Sequence, residues 1–512
     1  MKNMTKALLL ASAVLLALAL AACNGNNGGT TETEGAPETE SETELALESE
    51  QDVEEEELQT RAPRETVDYT PYAKVDGYAF LCDEQMSNPS PRQVTRGNTV
   101  GSTLSIAKDC YLVDITFFTY SWGDDEGEMD LCFWQWEDSY SATTKYEPDF
   151  TYTVKNCPDN SWVTVTLPEN LIGSGEWYYE FRNGSQNKVG VALTSGVVNS
   201  ADALDVFPSQ CYSSGSKARG LLPQAYATYV KYDTSKKADA PDAAAYTKLT
   251  EGKAHVIILA GQDNATGISR GDYLATHASE EQMARYLAGY SNVKIYYNAD
   301  GNSSVDFVPV KLGQGQDNTK FGPELGLAEY LSTAYPDETF YIIKSTASTS
   351  GLYQDWNTGG GAIHFLKTHI RAGLDALEAA GLEPEIFAMM WVQGEADSTD
   401  LSRARAYGDR QADLVSRVKT AYSSYMAPGG MAVLDASIYQ GGGNTFASLV
   451  NCGKRTFAAR TQNYYYINTD GLDTLDENND PAHYDSDDMI KLGELFGKTL
   501  TTVLTHAGYP AK

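Results

Sequence analysis

The sequence predicts an α/β domain whose parallel sheet is covered by helices on both faces, preceded by a β-sandwich domain. From residue 253 onwards, strand-like apolar runs alternate with amphipathic helical stretches, a pattern typical of parallel sheets. Between residues 67 and 233, short β-type runs are separated by turn residues without any long helical period, which indicates a sandwich. With 512 residues, the chain has room for both domains and for unfolded segments.

Residues 1–22 are interpreted as an export signal. Lys2 and Lys6 precede the apolar run 7–22, which is too short to span a membrane comfortably as a mature helix. The residues Leu-Ala-Ala before Cys23 resemble a bacterial lipobox. This resemblance implies an acylated Cys23 and an extracytoplasmic, cell-surface lipoprotein anchored to the bacterial membrane. An ordinary secretory signal cut nearby is the alternative.

Residues 23–66 are predicted to be an acidic, disordered tether. No Lys or Arg occurs between residues 24 and 60, and the run Glu54–Glu57 places four like charges side by side. Such segments repel themselves and bury little apolar surface. The formal net charge of the whole chain is −32, and nucleic acid is therefore excluded as a partner, because phosphate binding needs clustered Lys and Arg.

The β-sandwich is predicted over residues 67–233. Its clearest β-type runs are 111–118, 162–167 and 177–181, and Asn183-Gly184 reads as a hairpin turn. Aromatic side chains in this region either fill the core or stack on sugar rings, so carbohydrate binding is an open alternative for this domain. The aromatic residues concerned are Trp122, Trp134, Trp136 and Tyr178. Trp134 and Trp136 share one face of a strand, and we expect that face to be interior.

A polar linker is predicted at 234–252, and the α/β domain at 253–512. The chain has seven cysteines, of which six follow Cys23. An exported chain can oxidise them, but spacing alone does not give their pairing. None forms a CxxC pair, so we expect no zinc site. No metal or cofactor is expected.

The elements of the α/β domain follow from its apolar periodicity. We predict strands at 255–260, 293–297, 340–344, 386–391, 431–438 and 464–467, and helices at 321–335, 362–380, 403–422 and 487–505. In parallel sheets, functional residues lie just beyond the carboxyl ends of the strands. The segments in such positions are therefore the most informative ones.

Four short segments stand out in this domain. They read GQDNA from Gly261, FGPELG from Phe321, WVQGEAD from Trp391 and DPAH from Asp480. Each alone has a structural interpretation: a buried Gln is often only bonded to backbone, and a Pro in a first turn only starts a helix. Their order on a parallel-sheet domain makes a functional interpretation stronger.

From residue 253 to the C-terminus, the chain resembles the sialate O-acetylesterase-like branch (carbohydrate esterase family six) of the SGNH hydrolases. Members of that family typically read GQSNM, FGPE, W-x-QGESD and D-x-x-H, against GQDNA, FGPELG, WVQGEAD and DPAH here. The resemblance covers about half of the chain. It implies a three-layer, flavodoxin-like α/β fold, with O-acetylated carbohydrate as the substrate and deacetylation as the reaction.

The family motifs imply roles for matching residues of this chain. His483 matches the general base, and Asp480 matches the carboxylate that orients it. Gln393 matches a side-chain donor to the oxyanion, and Gly322 lies in the block that supplies a backbone N–H donor. Asp263 stands where the family has its nucleophilic serine. The motif residues beside these positions, Gln262, Asn264 and Glu395, are expected to line the substrate pocket.

An Asp at the nucleophile position predicts weak or absent ester hydrolysis. A carboxylate is a poor nucleophile toward an ester, and its charge repels the oxyanion that the donors stabilise. Three hypotheses follow: a hydrolase with an altered mechanism, a non-catalytic glycan-binding protein built on the esterase pocket, and a structural protein with a vestigial pocket. The first includes Thr266 or Ser269 as a substitute nucleophile, or Asp263 itself acting on carbon or positioning a water.

Overall fold

The computed structural model describes residues 58–62, 67–82, 86, 89–95, 97–124, 126–183, 185–195, 205–218, 220–441, 443–475 and 480–512. The described residues from 58 onwards belong to one compact unit. The interpreted export signal, Cys23 and nearly all of the predicted tether lie outside the described residues. Within the described residues, none of the helices is long and apolar enough to cross a membrane.

The N-terminal part of the described chain is built from antiparallel strands. Its elements are β1 Tyr72–Phe80, β2 Ser90–Val94, β3 Val100–Tyr120, β4 Met129–Gln135, α1 Tyr140–Thr144, β5 Phe150–Val154, β6 Ser161–Thr166, β7 Gly173–Arg182, β8 Val189–Ser195, β9 Val206–Ser213, β10 Ser216–Ala218, β11 Leu221–Pro223 and β12 Ala225–Lys237. The predicted β-rich region is therefore confirmed. Its strands are joined by hydrogen bonds into one sheet within the described residues. The arrangement as two facing sheets stays a prediction.

The long strand β3 connects the two halves of this antiparallel sheet. Its first half pairs with β7 and β9, and its second half pairs with β12 and β6. Trp134 and Tyr178 are completely buried, in agreement with the core interpretation of these rings. Trp136 packs on Tyr178 at 5.8 Å between ring centroids. Trp122, by contrast, is 43% exposed.

The C-terminal part alternates strands and helices as predicted. Its elements are β13 Ala254–Gly261, α2 Asp263–Thr266, β14 Ser269–Arg270, α3 Gly271–His277, α4 Glu280–Ala288, β15 Tyr290–Ala299, β16 Asn302–Ser303, β17 Val308–Val310, β18 Lys320–Phe321, α5 Glu324–Ala334, β19 Phe340–Thr346, α6 Gly361–Ala379, β20 Pro384–Val392, α7 Glu395–Ser398, α8 Leu401–Arg405, α9 Tyr407–Ala421, β21 Ala432–Ala436, α10 Ala447–Arg460, β22 Tyr464–Ile467, β23 Thr474–Leu475, β24 Asp480–Tyr484 and α11 Ser486–His506. Short 3₁₀ turns occur at Ala243–Ala245 and Ser423–Tyr425.

The central sheet has the strand order β15-β19-β13-β20-β21-β22, and each neighbouring pair in this order is parallel. Side chains of β13 alternate between its two faces. Ile257 and Leu259 pack with α5 and α11, whereas Val256 and Ile258 pack with α6 and α9. The predicted three-layer α/β architecture is thus present, and β13 lies at the point where the chain switches direction across the sheet.

Some elements differ from the sequence-based predictions. The predicted helix 403–422 is divided into α8 and α9. Helix α10 was not predicted, because its buried face includes polar residues such as Asn451 and Lys454 and lacks a clear apolar period. Strand β12 extends to Lys237, which overlaps the start of the predicted linker. The rest of the linker is bonded to the α/β part, for example through Thr250, whose N–H and hydroxyl both donate to Glu385.

The antiparallel sheet packs directly on α10 and on the loop before it. The Arg455 Nε donates to Asp76 Oδ1 at 3.1 Å, and its Nη2 donates to Thr228 Oγ1 at 3.1 Å. The hydroxyl of Tyr226 donates to the carbonyl of Thr445 at 2.7 Å. Tyr226 belongs to the same apolar core as one face of the parallel sheet. The two parts are therefore joined by a shared core and not only by a linker.

The described cysteines are all buried thiols. Burial raises the pKa of the Cys132 and Cys211 thiols to about 11. They are therefore neutral at physiological pH, and the structure uses them as small apolar side chains.

Candidate active site

The turn after β13 places Asp263 at the carboxyl edge of the sheet. Gly261 adopts φ +149°, and a Cβ at this position would lie 1.9 Å from the carbonyl oxygen of Val392. Only glycine therefore allows the chain to pass so close to β20. Asp263 is the first residue of α2 and is 8% exposed. The tight turn therefore holds the Asp263 carboxylate in a nearly buried position.

Two donors contact the Asp263 carboxylate. The backbone N–H of Thr349 donates to its Oδ2 at 3.0 Å, and Gln262 Nε2 donates to the same oxygen at 3.2 Å. Thr349 lies in the loop after β19, the strand next to β13. This backbone donor was missed by the sequence analysis. The available signal was the hydroxyl-rich run 345–350, which follows a predicted strand at the functional edge.

Gln262 connects Asp263 to the QGEAD segment. Its Oε1 accepts from Gln393 Nε2 at 3.1 Å and lies 3.4 and 3.3 Å from the backbone nitrogens of Gly394 and Ala396. Gln262 is 3% exposed. Its side chain therefore orders both the Asp263 carboxylate and the turn that begins α7.

Gln393 is completely buried, and its amide nitrogen faces acceptors of the protein itself. Besides Gln262, Nε2 contacts the carbonyl of Ser350 at 3.0 Å and Asp397 Oδ2 at 2.8 Å. Its Oε1 accepts from the Tyr407 hydroxyl at 2.8 Å. An amide nitrogen has two hydrogens, so three acceptors already exceed its capacity. In this arrangement, Gln393 holds the scaffold together, and its predicted role as oxyanion donor stays a prediction.

Asp397, the last residue of the QGEAD segment, fixes the loop that carries Thr349. Its Oδ2 accepts from the backbone N–H of Leu352 at 2.8 Å, and its Oδ1 accepts from that of Tyr353 at 3.1 Å. Asp397 is 1% exposed. A buried carboxylate bonded to successive backbone N–H groups is a strong local restraint. The position of the Thr349 donor thus depends on a residue of another strand-loop segment.

Asn264 joins the Asp263 turn to the segment that contains His483. Its Nδ2 donates to Glu395 Oε1 at 3.0 Å, and its Oδ1 accepts from the backbone N–H of Tyr484 at 3.1 Å. The residue after Asp263 is therefore bonded to the residue after His483, which brings the predicted acid and base segments together. His483 is partly buried in β24. The side chain of Asp480 lies outside the described residues.

Glu395 is a buried carboxyl group beside this turn. It is 8% exposed, and its Oε2 has no hydrogen-bond partner among the described residues. Burial raises the pKa of Glu395, and the nearby charge of Asp263 raises it further, against the opposing effects of Asn264 and Lys454. The side chain therefore favours its neutral form more than an exposed carboxyl does.

The FGPE segment forms a buried ion pair behind the Asp263 turn. Glu324 Oε1 accepts from the backbone N–H of Gly322 at 3.0 Å, and Glu324 Oε2 accepts from Lys344 Nζ at 2.9 Å. Both charged side chains are completely buried. The N–H of Gly322 is thus already bonded, and its predicted part in an oxyanion hole stays a prediction.

A small cavity lies beside the loop that carries Thr349. It has a volume of about 210 Å³ and is lined by residues 347–350, Asp355, Gly361, Ala362 and Phe365. Phe365 is 66% exposed at its rim. The hydroxyl oxygens of Thr346, at the end of β19, and of Ser348, in the loop, are buried without a hydrogen-bond partner among the described residues. This recess borders the loop whose Thr349 N–H contacts Asp263, and its lining does not include Asp263, Gln393 or Glu395.

The parallel sheet of the C-terminal part carries the polar motif residues past its central strands, at the edge where the sequence motifs placed them. Residues 253–502 match the family model described as "SASA: Carbohydrate esterase, sialic acid-specific acetylesterase". This part of the chain therefore belongs to that carbohydrate esterase family, as the sequence motifs predicted.

Several solved structures align with parts of this chain at low sequence identity. A protein from Arabidopsis thaliana aligns over 49% of this chain and 98% of its own, with 15% identity and a TM-score of 0.38. NanS aligns over 50% of this chain and 98% of its own, with 13% identity and a TM-score of 0.37. A family two carbohydrate esterase from Clostridium thermocellum, solved in complex with cellohexaose, covers 84% of this chain and 100% of its own, with 11% identity and a TM-score of 0.29. No curated protein matches the chain significantly.

Proposed function

We propose that this chain is a surface lipoprotein whose esterase-type site binds O-acetylated carbohydrate and hydrolyses it weakly or not at all. The observation that carries the proposal is the contact between the Asp263 carboxylate and the backbone N–H of Thr349 at 3.0 Å. A serine esterase needs a hydroxyl at the nucleophile position and unoccupied donors for the oxyanion. Here the carboxylate of Asp263 occupies the matching position and accepts a hydrogen bond from the Thr349 N–H.

Nearby hydroxyl groups do not favour a displaced nucleophile. The Thr266 hydroxyl donates to the carbonyl of Gln262 at 3.1 Å, and the Ser269 hydroxyl donates to the carbonyl of Tyr484 at 2.8 Å. Both residues are completely buried. A nucleophile must be within reach of its base and of the substrate. These two hydroxyls are hydrogen-bonded to backbone carbonyls instead.

The recess beside Thr349 supports retention of binding. Its volume of about 210 Å³ is sufficient for a small group such as the acetyl substituent of a sugar. Acetylated carbohydrate as the ligand comes from the family to which residues 253–502 belong.

Turnover by Asp263 chemistry is the second candidate function. It is favoured by Glu395, whose buried Oε2 has no partner among the described residues and whose raised pKa reflects burial and the charge of Asp263. A buried carboxyl group with a raised pKa beside a second carboxyl group is a pairing that acid–base hydrolases use. Asp263 would then position a water, and the variants below separate the two functions.

The decisive experiment compares wild type, Asp263→Ser and Asp263→Asn on a simple acetyl ester and on acetylated xylan. We expect little turnover from wild type and Asp263→Asn, and a gain of at least tenfold for Asp263→Ser, because only serine supplies the hydroxyl. Adding His483→Ala to Asp263→Ser should remove that gain. Strong wild-type turnover that is lost in both Asp263→Asn and His483→Ala would establish the second candidate instead.

The lipoprotein part of the proposal rests on Cys23 and on the acidic segment behind it. An anchored tether would hold the two folded parts away from the membrane surface. The mass of the mature N-terminal peptide decides this point, since an unmodified N-terminus other than Cys23 contradicts it.

A further inference from the structure

A row of aromatic side chains runs along the antiparallel sheet toward the candidate active site. We call it the aromatic stripe; it comprises Phe118, Tyr120, Trp122, Trp162 and Phe446. Successive ring centroids along the row are 6.0 Å apart for Trp122 and Tyr120, 5.3 Å for Tyr120 and Phe118, 5.3 Å for Phe118 and Trp162, and 6.4 Å for Trp162 and Phe446. Phe118 and Tyr120 of β3 alternate with buried residues, so they share one face of the strand, and Trp122 follows in the turn after it.

The inner end of the aromatic stripe contacts the active-site edge of the α/β part. The backbone N–H of Phe446 donates to the carbonyl of Ser398 at 2.8 Å. Ser398 ends α7, the short helix that begins with Glu395. The aromatic stripe therefore extends from the segment that carries Glu395 out along the antiparallel sheet.

The outer end is exposed, and the backbone holds Trp122 in an unusual conformation. Trp122 has φ +53°, a left-handed conformation that costs energy for a residue other than glycine. The conformation is maintained by Asp159, whose Oδ1 accepts from the backbone N–H groups of Ser121 at 2.8 Å and Trp122 at 2.9 Å. Strain of this kind persists only where surrounding contacts enforce it, and here its result is an indole that is 43% exposed.

The indole of Trp122 lies on a residue without a side chain. A Cβ added to Gly190 would be 2.9 Å from the outer carbon Cη2 of the indole. The absence of a side chain at Gly190 therefore leaves the space that the ring occupies. Its neighbour Tyr120 is partly buried, and the two ring planes are inclined by 33°. Tyr120 and Trp122 thus form a small aromatic surface, which we call the platform, open to solvent on one side.

The surroundings of the platform select the kind of ligand. Asp124 and Asp159 flank it, and their carboxylates disfavour an anionic polymer. Two rings with a polar border are also much smaller than the apolar core of a stable protein interface. Sugar rings, in contrast, stack on exposed Trp and Tyr through their C–H faces while their hydroxyls stay hydrated.

We propose that Tyr120 and Trp122 bind sugar rings of a neutral glycan chain whose acetylated unit occupies the esterase-type site. This inference rests on the proposed function, since it takes the glycan held at that site as the same chain. The β-rich part then acts as an extension of the site, which adds affinity for polymers and none for short sugars.

The test measures retention of wild type, Trp122→Ala, Trp122→Phe and Tyr152→Ala by acetylated xylan and acetylated glucomannan in affinity electrophoresis. We expect Trp122→Ala to weaken polymer binding about tenfold, the equivalent of one lost stacking contact. Trp122→Phe should keep much of the affinity, which also shows that the site tolerates substitution. Tyr152 is 45% exposed on β5 and outside the aromatic stripe, so Tyr152→Ala should bind as wild type does.

The outcomes separate this inference from the proposed function. Equal retention of wild type and Trp122→Ala, or retention of neither by any of the polymers, overturns the platform. Equal losses in Trp122→Ala and Tyr152→Ala overturn it as well, since binding would then depend on exposed aromatic rings in general. The gain of simple-ester turnover by Asp263→Ser does not involve the platform. That experiment therefore tests the proposed function independently of polymer binding.

Discussion

At the residue scale, the site is defined by the hydrogen bonds that its polar atoms make within the protein. The Asp263 carboxylate takes the Thr349 N–H, Glu324 takes the Gly322 N–H, and the amide of Gln393 is shared among internal acceptors. A donor that is bonded to its own protein stabilises a developing oxyanion only after that bond is broken. The side chains of an esterase motif are therefore present, but their donors are hydrogen-bonded to other groups of the protein.

Glu395 provides a test at this scale. Because burial raises its pKa, the folded state holds a proton more tightly than the unfolded state does. Stability from this group is therefore full below its unfolded pKa near 4.5 and is lost as pH rises above that value. Glu395→Gln has no such loss, and we expect its stability relative to wild type to rise between pH 4 and pH 7.

Urea unfolding at several pH values measures this difference. The Gln side chain keeps an oxygen for Asn264, so the two proteins should have similar stabilities at the acid end. Parallel pH profiles for wild type and Glu395→Gln would show that folding does not raise the pKa of Glu395.

At the scale of elements, the loop between β19 and α6 decides where the donor to residue 263 lies. Thr349 has φ +55°, and Asp397 bonds the backbone N–H groups of Leu352 and Tyr353. The Thr349 side chain is exposed, so its backbone conformation and not its hydroxyl is what the site uses.

Substitutions of Thr349 in the Asp263→Ser background test this interpretation. Thr349→Gly is compatible with a positive φ, and we expect it to retain the acquired esterase activity. Proline is confined to φ near −65° and has no N–H, so Thr349→Pro should lower kcat about 10²-fold or more, as expected for a lost oxyanion donor. If the proline variant folds and remains as active as the glycine variant, the Thr349 N–H has no part in the reaction.

At the scale of the whole molecule, the antiparallel sheet and the α/β part are held together by buried polar contacts as well as by apolar packing. Arg455 on α10 bonds Asp76, and Asp114 lies close enough for its charge to affect Arg455. The side chain of Asp76 is 5% exposed, and that of Arg455 is 18% exposed. Removing this cation leaves buried carboxylates without compensation, which is costly.

We therefore expect Arg455→Met to lower the free energy of unfolding by about 3–5 kcal/mol. The matched control is Arg285→Met, because Arg285 forms its ion pairs at the surface with 45% of its side chain exposed. Surface pairs contribute about 1 kcal/mol or less. Calorimetry or urea unfolding of both variants gives the comparison. If Arg455→Met lowers the free energy of unfolding as little as Arg285→Met does, the contact between the two parts contributes little to stability.

Much of this molecule follows from local sequence patterns. Strand β22 was predicted with its observed bounds, and helix α11 was predicted to within one residue at each end, because apolar periodicity directly reflects burial on one face. The motifs also placed the segments of Asp263 and Gln393 at one edge of the sheet, since the carboxyl ends of adjacent parallel strands meet there. Helix α10 escaped prediction because its buried polar residues are paired with distant partners, such as Lys454 with Asp435.

The sequence by itself determined the order of the elements, the parallel sheet and the presence of an acid at the centre of an esterase motif. Only the tertiary structure decided which donors remain available, because a backbone N–H such as that of Thr349 leaves no mark in the residue types. It also decided that Trp122 faces solvent, whereas Trp134 is core as the sequence predicted. Burial and hydrogen bonding depend on partners far apart in the chain, and such pairings are fixed only when the chain has folded.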